Sequence, residues 1–86
     1  MLLKIRYWKK SEKEQFVVGD KLIRDLFYSC TRASIHYGEK YSSLYIDVGE
    51  RGERIVPLLC DKDCTLIEVY FMNSDGKTID RYNFTE

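Results

Sequence analysis

The sequence is poor in most of the features that announce a function. It holds one proline, five glycines, one histidine and three cysteines, and its 14 basic side chains are cancelled by 14 acidic ones. No apolar run exceeds four residues, against the roughly 18 that a membrane-spanning helix needs. The first ten residues interleave Lys4, Arg6, Lys9 and Lys10 with the apolar positions. A secretory signal instead keeps its apolar segment free of charge. Three cysteines are an odd count, and too few to staple a secreted disulfide domain. The expectation is a cytoplasmic protein with no membrane segment.

What is present is the composition of a folded domain. Hydrophobic residues make up 44% and charged residues 33%. At 86 residues the chain fits one domain, 1–86, with a small core. No repeat or linker divides it. Zero net charge and a pI near 6.6 weigh against a general nucleic-acid binder. The zero nevertheless hides a split. Residues 1–40 carry nine basic and five acidic groups, net +4, and residues 41–86 carry five and nine, net −4. If the two halves lie toward opposite sides, the domain has a charge dipole, with a local basic site near Lys4, Arg6, Lys9, Lys10 and Lys13.

Periodicity predicts mostly strands. Residues 2–8 alternate, with Leu3, Ile5 and Tyr7 on one side and Lys4, Arg6 and Trp8 on the other. Glu14–Val18 reads as a second, short strand closing a hairpin. Over 20–33, Leu22, Ile23, Leu26, Phe27, Cys30 and Ala33 fall on one helical stripe, with Asp20 as N-cap and Gly38 as stop. Tyr41–Val48, Arg54–Cys60, Thr65–Met72 and Thr78–Phe84 read as four further strands. Pro57 marks an edge, and Asn73-Ser74-Asp75-Gly76-Lys77 is a hairpin turn. The expected class is α+β: a single domain in β-β-α-β-β-β-β order, one helix packed on one face of a mainly antiparallel sheet.

Hairpin, helix and further strands, over about residues 2–72, are similar to the β-grasp layout of ubiquitin-like proteins. The likeness is one of organisation, and no motif carries it. The last strand departs from the minimal pattern. Tyr82-Asn83-Phe84-Thr85-Glu86 lacks the paired glycines of conjugated or sulfur-carrying members, which speaks against a carrier or modifier role.

No motif marks an enzyme, and no cofactor is implied. Cys60 and Cys64 could ligate zinc with Cys30 or His36, but one close pair at this spacing is not a zinc-finger pattern. The same pair could close a disulfide under oxidation. Asp61 and Asp63 lack the glycine and closing glutamate of a calcium loop. His36 has a pKa range suited to acid–base work, yet as a lone histidine after a helix it reads as a dipole partner or plain surface. Gly49 and Gly52 precede neither Lys nor helix and cannot form a P-loop. Small ribonucleases of toxin–antitoxin pairs are similar in size. They need a positive field to hold RNA, which a neutral chain lacks, and Phe16-Val17-Val18 looks like strand where that layout wants helix.

The positive anomaly is aromatic. Seven tyrosines help bring aromatics to 14%. If Leu3, Ile5, Leu44, Ile46, Ile67, Val69 and Phe71 face the helix, an uncovered face carries Lys4, Arg6, Trp8, Tyr45, Asp47, Glu68, Tyr70 and Met72. In a β-grasp arrangement the first and 65–72 strands are central neighbours, which would bring Lys4 and Arg6 close to Glu68 and Tyr70. Trp, Tyr, Arg and Met are enriched at interfaces, although any one-sided sheet uses cross-strand aromatic and ion pairs for its own stability. The expected function is a protein-binding module: a regulator, an inhibitor or an assembly subunit. The alternative is an RNA-directed protein, a single-strand binder or small ribonuclease, with Trp8, Tyr45 and Tyr70 stacking on bases. Asp47 and Glu68 oppose that version. A homodimer through the Thr78–Phe84 edge is a further expectation.

Overall fold

Alternating apolar residues on β1 (Leu2–Lys9) and β6 (Leu66–Met72) bring those two strands together at the centre of the molecule. A computed structural model describes residues 1–9, 21–60 and 64–85. In these residues β2 (Lys21–Ser29) and β7 (Thr78–Thr85) flank the central pair, giving a four-stranded antiparallel sheet in the order β2-β1-β6-β7. β3 (Arg32–Tyr37), β4 (Ser42–Asp47) and β5 (Glu53–Leu58) form a second antiparallel sheet with β4 in the middle. A single 3₁₀ turn, Gly49–Arg51, joins β4 to β5.

The class is therefore nearly all β, and the α+β expectation is overturned. Residues 21–37 are two strands, not a helix, and no packed helix occurs among the described residues. The helical stripe was one of two periods that this segment satisfies. Leu26, Tyr28 and Cys30 also alternate with Asp25, Phe27 and Ser29. The strand period wins because β1 would otherwise expose one whole edge of backbone donors and acceptors. β2 pairs along it from Leu2↔Ser29 to Lys9↔Lys21, with a bulge at Tyr7/Trp8. The β-grasp likeness falls with the helix. The expected Glu14–Val18 strand lies outside the described residues.

The second sheet, rather than a helix, covers the inner face of the first. Leu3, Ile5, Ile67 and Val69 of one sheet and Leu44 and Ile46 of the other are fully buried. Leu58, Tyr7, Cys30 and Cys64 complete this core, and Leu26, Ile35, Val56 and Phe84 pack around it. At its rim the Arg24 guanidinium lies 4.3 Å from the centre of the Tyr7 ring. Burial pushes the Tyr7 hydroxyl pKa up, against the opposing pull of Arg24.

β3 links two opposite corners of the four-stranded sheet. β3 starts two residues beyond β2, where the Cys30 N–H donates to the Met1 carbonyl and the Thr31 N–H to that of Asp47, both at 2.9 Å. By its far end Tyr37 stacks 6.1 Å from Phe84 of β7. β2 and β7 are opposite edges of the four-stranded sheet, so β3 runs across its width.

In the four-stranded sheet the two halves lie side by side, with β2 and β1 from the basic half on one flank and β6 and β7 from the acidic half on the other, and in the second sheet β3 from the basic half pairs with β4. Pro57 does lie on an edge strand, β5. Gly76 adopts φ 81° in the β6–β7 turn, a conformation costly for any side chain. There Asn73 Oδ1 accepts from the Asp75 and Lys77 N–H groups. Among the described residues, no helix is long and apolar enough to cross a membrane.

Candidate functional site

The outer face of the four-stranded sheet is covered by no other described element. Strand alternation lays its side chains in rows that run across all four strands. One row is Phe27–Lys4–Tyr70–Arg81, alternating aromatic and cation. The next is Asp25–Arg6–Glu68–Asn83. A third centres on Trp8 and Leu66, and a fourth on Leu2 and Met72.

Six of the eight expected site residues meet here: Lys4, Arg6, Trp8, Glu68, Tyr70 and Met72. Each is half-buried by its neighbours. The Lys4 ammonium lies 4.5 Å from the Tyr70 ring centre. The Arg6 guanidinium lies 5.6 Å from Trp8 and 6.0 Å from Tyr70. The Trp8 indole N–H donates to the Glu68 carboxylate. Burial, together with the adjacent Glu68 carboxylate, pushes the Tyr70 hydroxyl pKa up. The ring therefore stays a neutral platform under both cations.

Tyr45 and Asp47 do not belong to this face. They sit on β4, in the other sheet, and point away from the shared core. Alternation gives each residue its phase but not its sheet, so the expectation merged two surfaces. Tyr45 stacks on His36 with 3.9 Å between ring centres. The Asp47 carboxylate accepts the Gly49 N–H at 2.9 Å and shapes the turn into β5.

Sequence reasoning missed Phe27, Asp25 and Arg81. Phe27 was assigned to the core of a helix and is instead 59% exposed in the outermost strand. Asp25 accepts two hydrogen bonds from Arg6, at 2.8 and 3.0 Å. This fork holds the Asp25 carboxyl below its ordinary range and the Arg6 guanidinium above its own. A period-two reading of Asp25-Leu26-Phe27-Tyr28-Ser29 was the available signal.

Other constellations are weaker. Ser34 Oγ lies 3.1 Å from His36 Nε2 on the exposed face of β3. With no helix preceding His36, its role as a dipole partner drops out. Cys60 and Cys64 bring their sulfurs to 3.8 Å, and Cys30 is buried at the β2–β3 corner. No group of three or more His, Cys, Asp or Glu among the described residues could hold a metal ion. Asp61 and Asp63 lie outside the described residues. Compared with family models, curated proteins and solved structures, the chain has no match.

Proposed function

We propose that this protein is a small cytoplasmic binding module whose partner is another protein, docked on the outer face of the β2-β1-β6-β7 sheet. The observation that carries the reading is the cross-strand row Phe27–Lys4–Tyr70–Arg81 beside the Arg6–Asp25 fork. Cations held over aromatic rings lose little side-chain freedom on docking, so their contact area costs little entropy. Phe27 offers an exposed apolar anchor. Lys4, Arg6 and Arg81 against Asp25 and Glu68 give both signs of charge, which favours orientation of a mixed-charge partner over attraction to a polyanion.

The experiment is capture by immobilised protein. Wild type, Phe27→Ala, Lys4→Ala and, as a control on the other sheet, Tyr45→Ala are compared. The proposal expects a protein retained by wild type and Tyr45→Ala, and depleted by the other two. Equal retention by all four removes it.

The same aromatic–cation row supports a second reading, a single-strand RNA binder stacking bases on Phe27, Tyr70 and Trp8. Asp25 and Glu68 lie in the next row and oppose phosphate. Absence of retention on RNA at about 50 mM salt excludes this reading, because phosphate contacts are strongest at low salt. A further element of the proposal is the outer edge of β7, which has no neighbouring strand among the described residues. Two such edges paired would give a homodimer. A monomeric mass at high micromolar concentration rules that out.

A further inference from the structure

The Cys60 and Cys64 sulfurs stand 3.8 Å apart, and a disulfide would close this to about 2.05 Å. Both residues lie in the connection between the two sheets: Cys60 is two residues past the end of β5, and Cys64 two residues before the start of β6. Their surroundings differ. Cys64 is buried, with its sulfur 3.5 Å from the Leu66 carbonyl oxygen. The next residue, Thr65, is fastened by its N–H to the Trp8 carbonyl at 2.8 Å. Cys60 is half-buried and borders a surface hollow between the 38–42 turn and the end of β7. The half-buried cysteine borders the hollow, and the buried one is in contact with its sulfur. That is the arrangement of an attacking and a resolving cysteine.

We propose that Cys60 and Cys64 are a redox-modification site, in which a peroxide oxidises Cys60 and Cys64 closes a disulfide within the connection between the two sheets. In the first step the Cys60 sulfur attacks a peroxide oxygen and the O–O bond breaks. Cys60 becomes a sulfenic acid, and the departing hydroxide takes the thiol proton and leaves as water. In the second step the Cys64 sulfur attacks the Cys60 sulfur. The S–O bond breaks, and the oxygen leaves as a second water carrying the Cys64 proton. Two thiols have then lost two electrons and two protons, and one hydrogen peroxide has become two waters.

Cys30 stands apart from this chemistry. It lies beside Met1, whereas Cys64 lies near the Trp8 end of β1. The length of that strand, on the order of 20 Å, separates them. Burial pushes the Cys30 thiol pKa up, which keeps it protonated and slow to react.

The test uses the full chain, reduced, then exposed to hydrogen peroxide, quenched with N-ethylmaleimide and mapped by peptide mass. The expected product is a Cys60–Cys64 cross-link, lighter by two hydrogens and reversed by dithiothreitol. It should form at least about tenfold faster in the folded chain than in urea, because the fold holds the sulfurs in contact. Cys30→Ser should form it equally well, and Cys64→Ser should instead leave a sulfenic acid on Cys60 that dimedone traps. Accumulation of sulfinic acid on Cys60 without a cross-link in folded wild type would overturn the proposal. So would a rate in urea equal to that in the fold.

Discussion

Arg6 on β1 grips Asp25 on β2 through two parallel hydrogen bonds, and the same guanidinium lies between the rings of Trp8 and Tyr70. One side chain thus joins three strands of the outer face. The pair is partly exposed, at 28% and 20%, so its coupling should be modest. A double-mutant cycle of Arg6→Ala and Asp25→Asn, followed by urea unfolding, should give about 0.5–1 kcal/mol. Additivity would show that the fork contributes nothing.

The same pair sets a pH dependence. Asp25 titrates below its unfolded value of about 3.9. Its contribution is therefore complete at neutral pH and is lost as pH falls through the lowered folded-state value. The stability of Asp25→Asn should decline less steeply below about pH 4 than that of wild type. Parallel acid limbs in the two urea series would refute this.

Exposure separates the face from the core. Ile5→Ala removes a fully buried side chain between two sheets and should cost about 2–4 kcal/mol. Phe27→Ala truncates a side chain that is 59% exposed and should change stability by no more than about 0.5 kcal/mol. A Phe27 cost near that of Ile5 would mean that Phe27 is packed, and would withdraw it from the docking surface.

The segment 21–37 provides the sharpest structural test. Cross-strand register places Ile5 opposite Leu26 and Lys4 opposite Phe27. Proton NMR should show contacts between these backbone pairs and strand-type shifts through both β2 and β3. A run of i,i+3 and i,i+4 contacts, such as Leu22–Asp25 and Leu22–Leu26, would restore the helix.

That segment also shows what the sequence could and could not disclose. β4 to β7 were legible nearly to their ends, because β4 and β6 alternate and Gly49, Gly52 and Gly76 mark the turns beside the strands. The pairing of β1 with β6 was expected only from the β-grasp arrangement, and it holds although that likeness does not: Lys4 lies opposite Tyr70 and Arg6 opposite Glu68. Residues 21–37 satisfied two periods at once. The choice between them depends on distant facts: an unpaired β1 edge and a second sheet that covers the core. Tyr45 and Asp47 were misplaced for a related reason. Nothing local to β4 says which sheet it joins.

The proposed docking surface is the outer face of the four-stranded sheet, and the chain's single tryptophan lies on it. Replacing Trp8 with 5-fluorotryptophan gives one fluorine signal that reports on this face alone. As the captured protein partner is titrated in, that signal should shift or broaden and saturate at stoichiometric partner, and it should respond less when the chain carries Phe27→Ala. A complex that forms while the Trp8 fluorine signal stays unmoved would contradict the account.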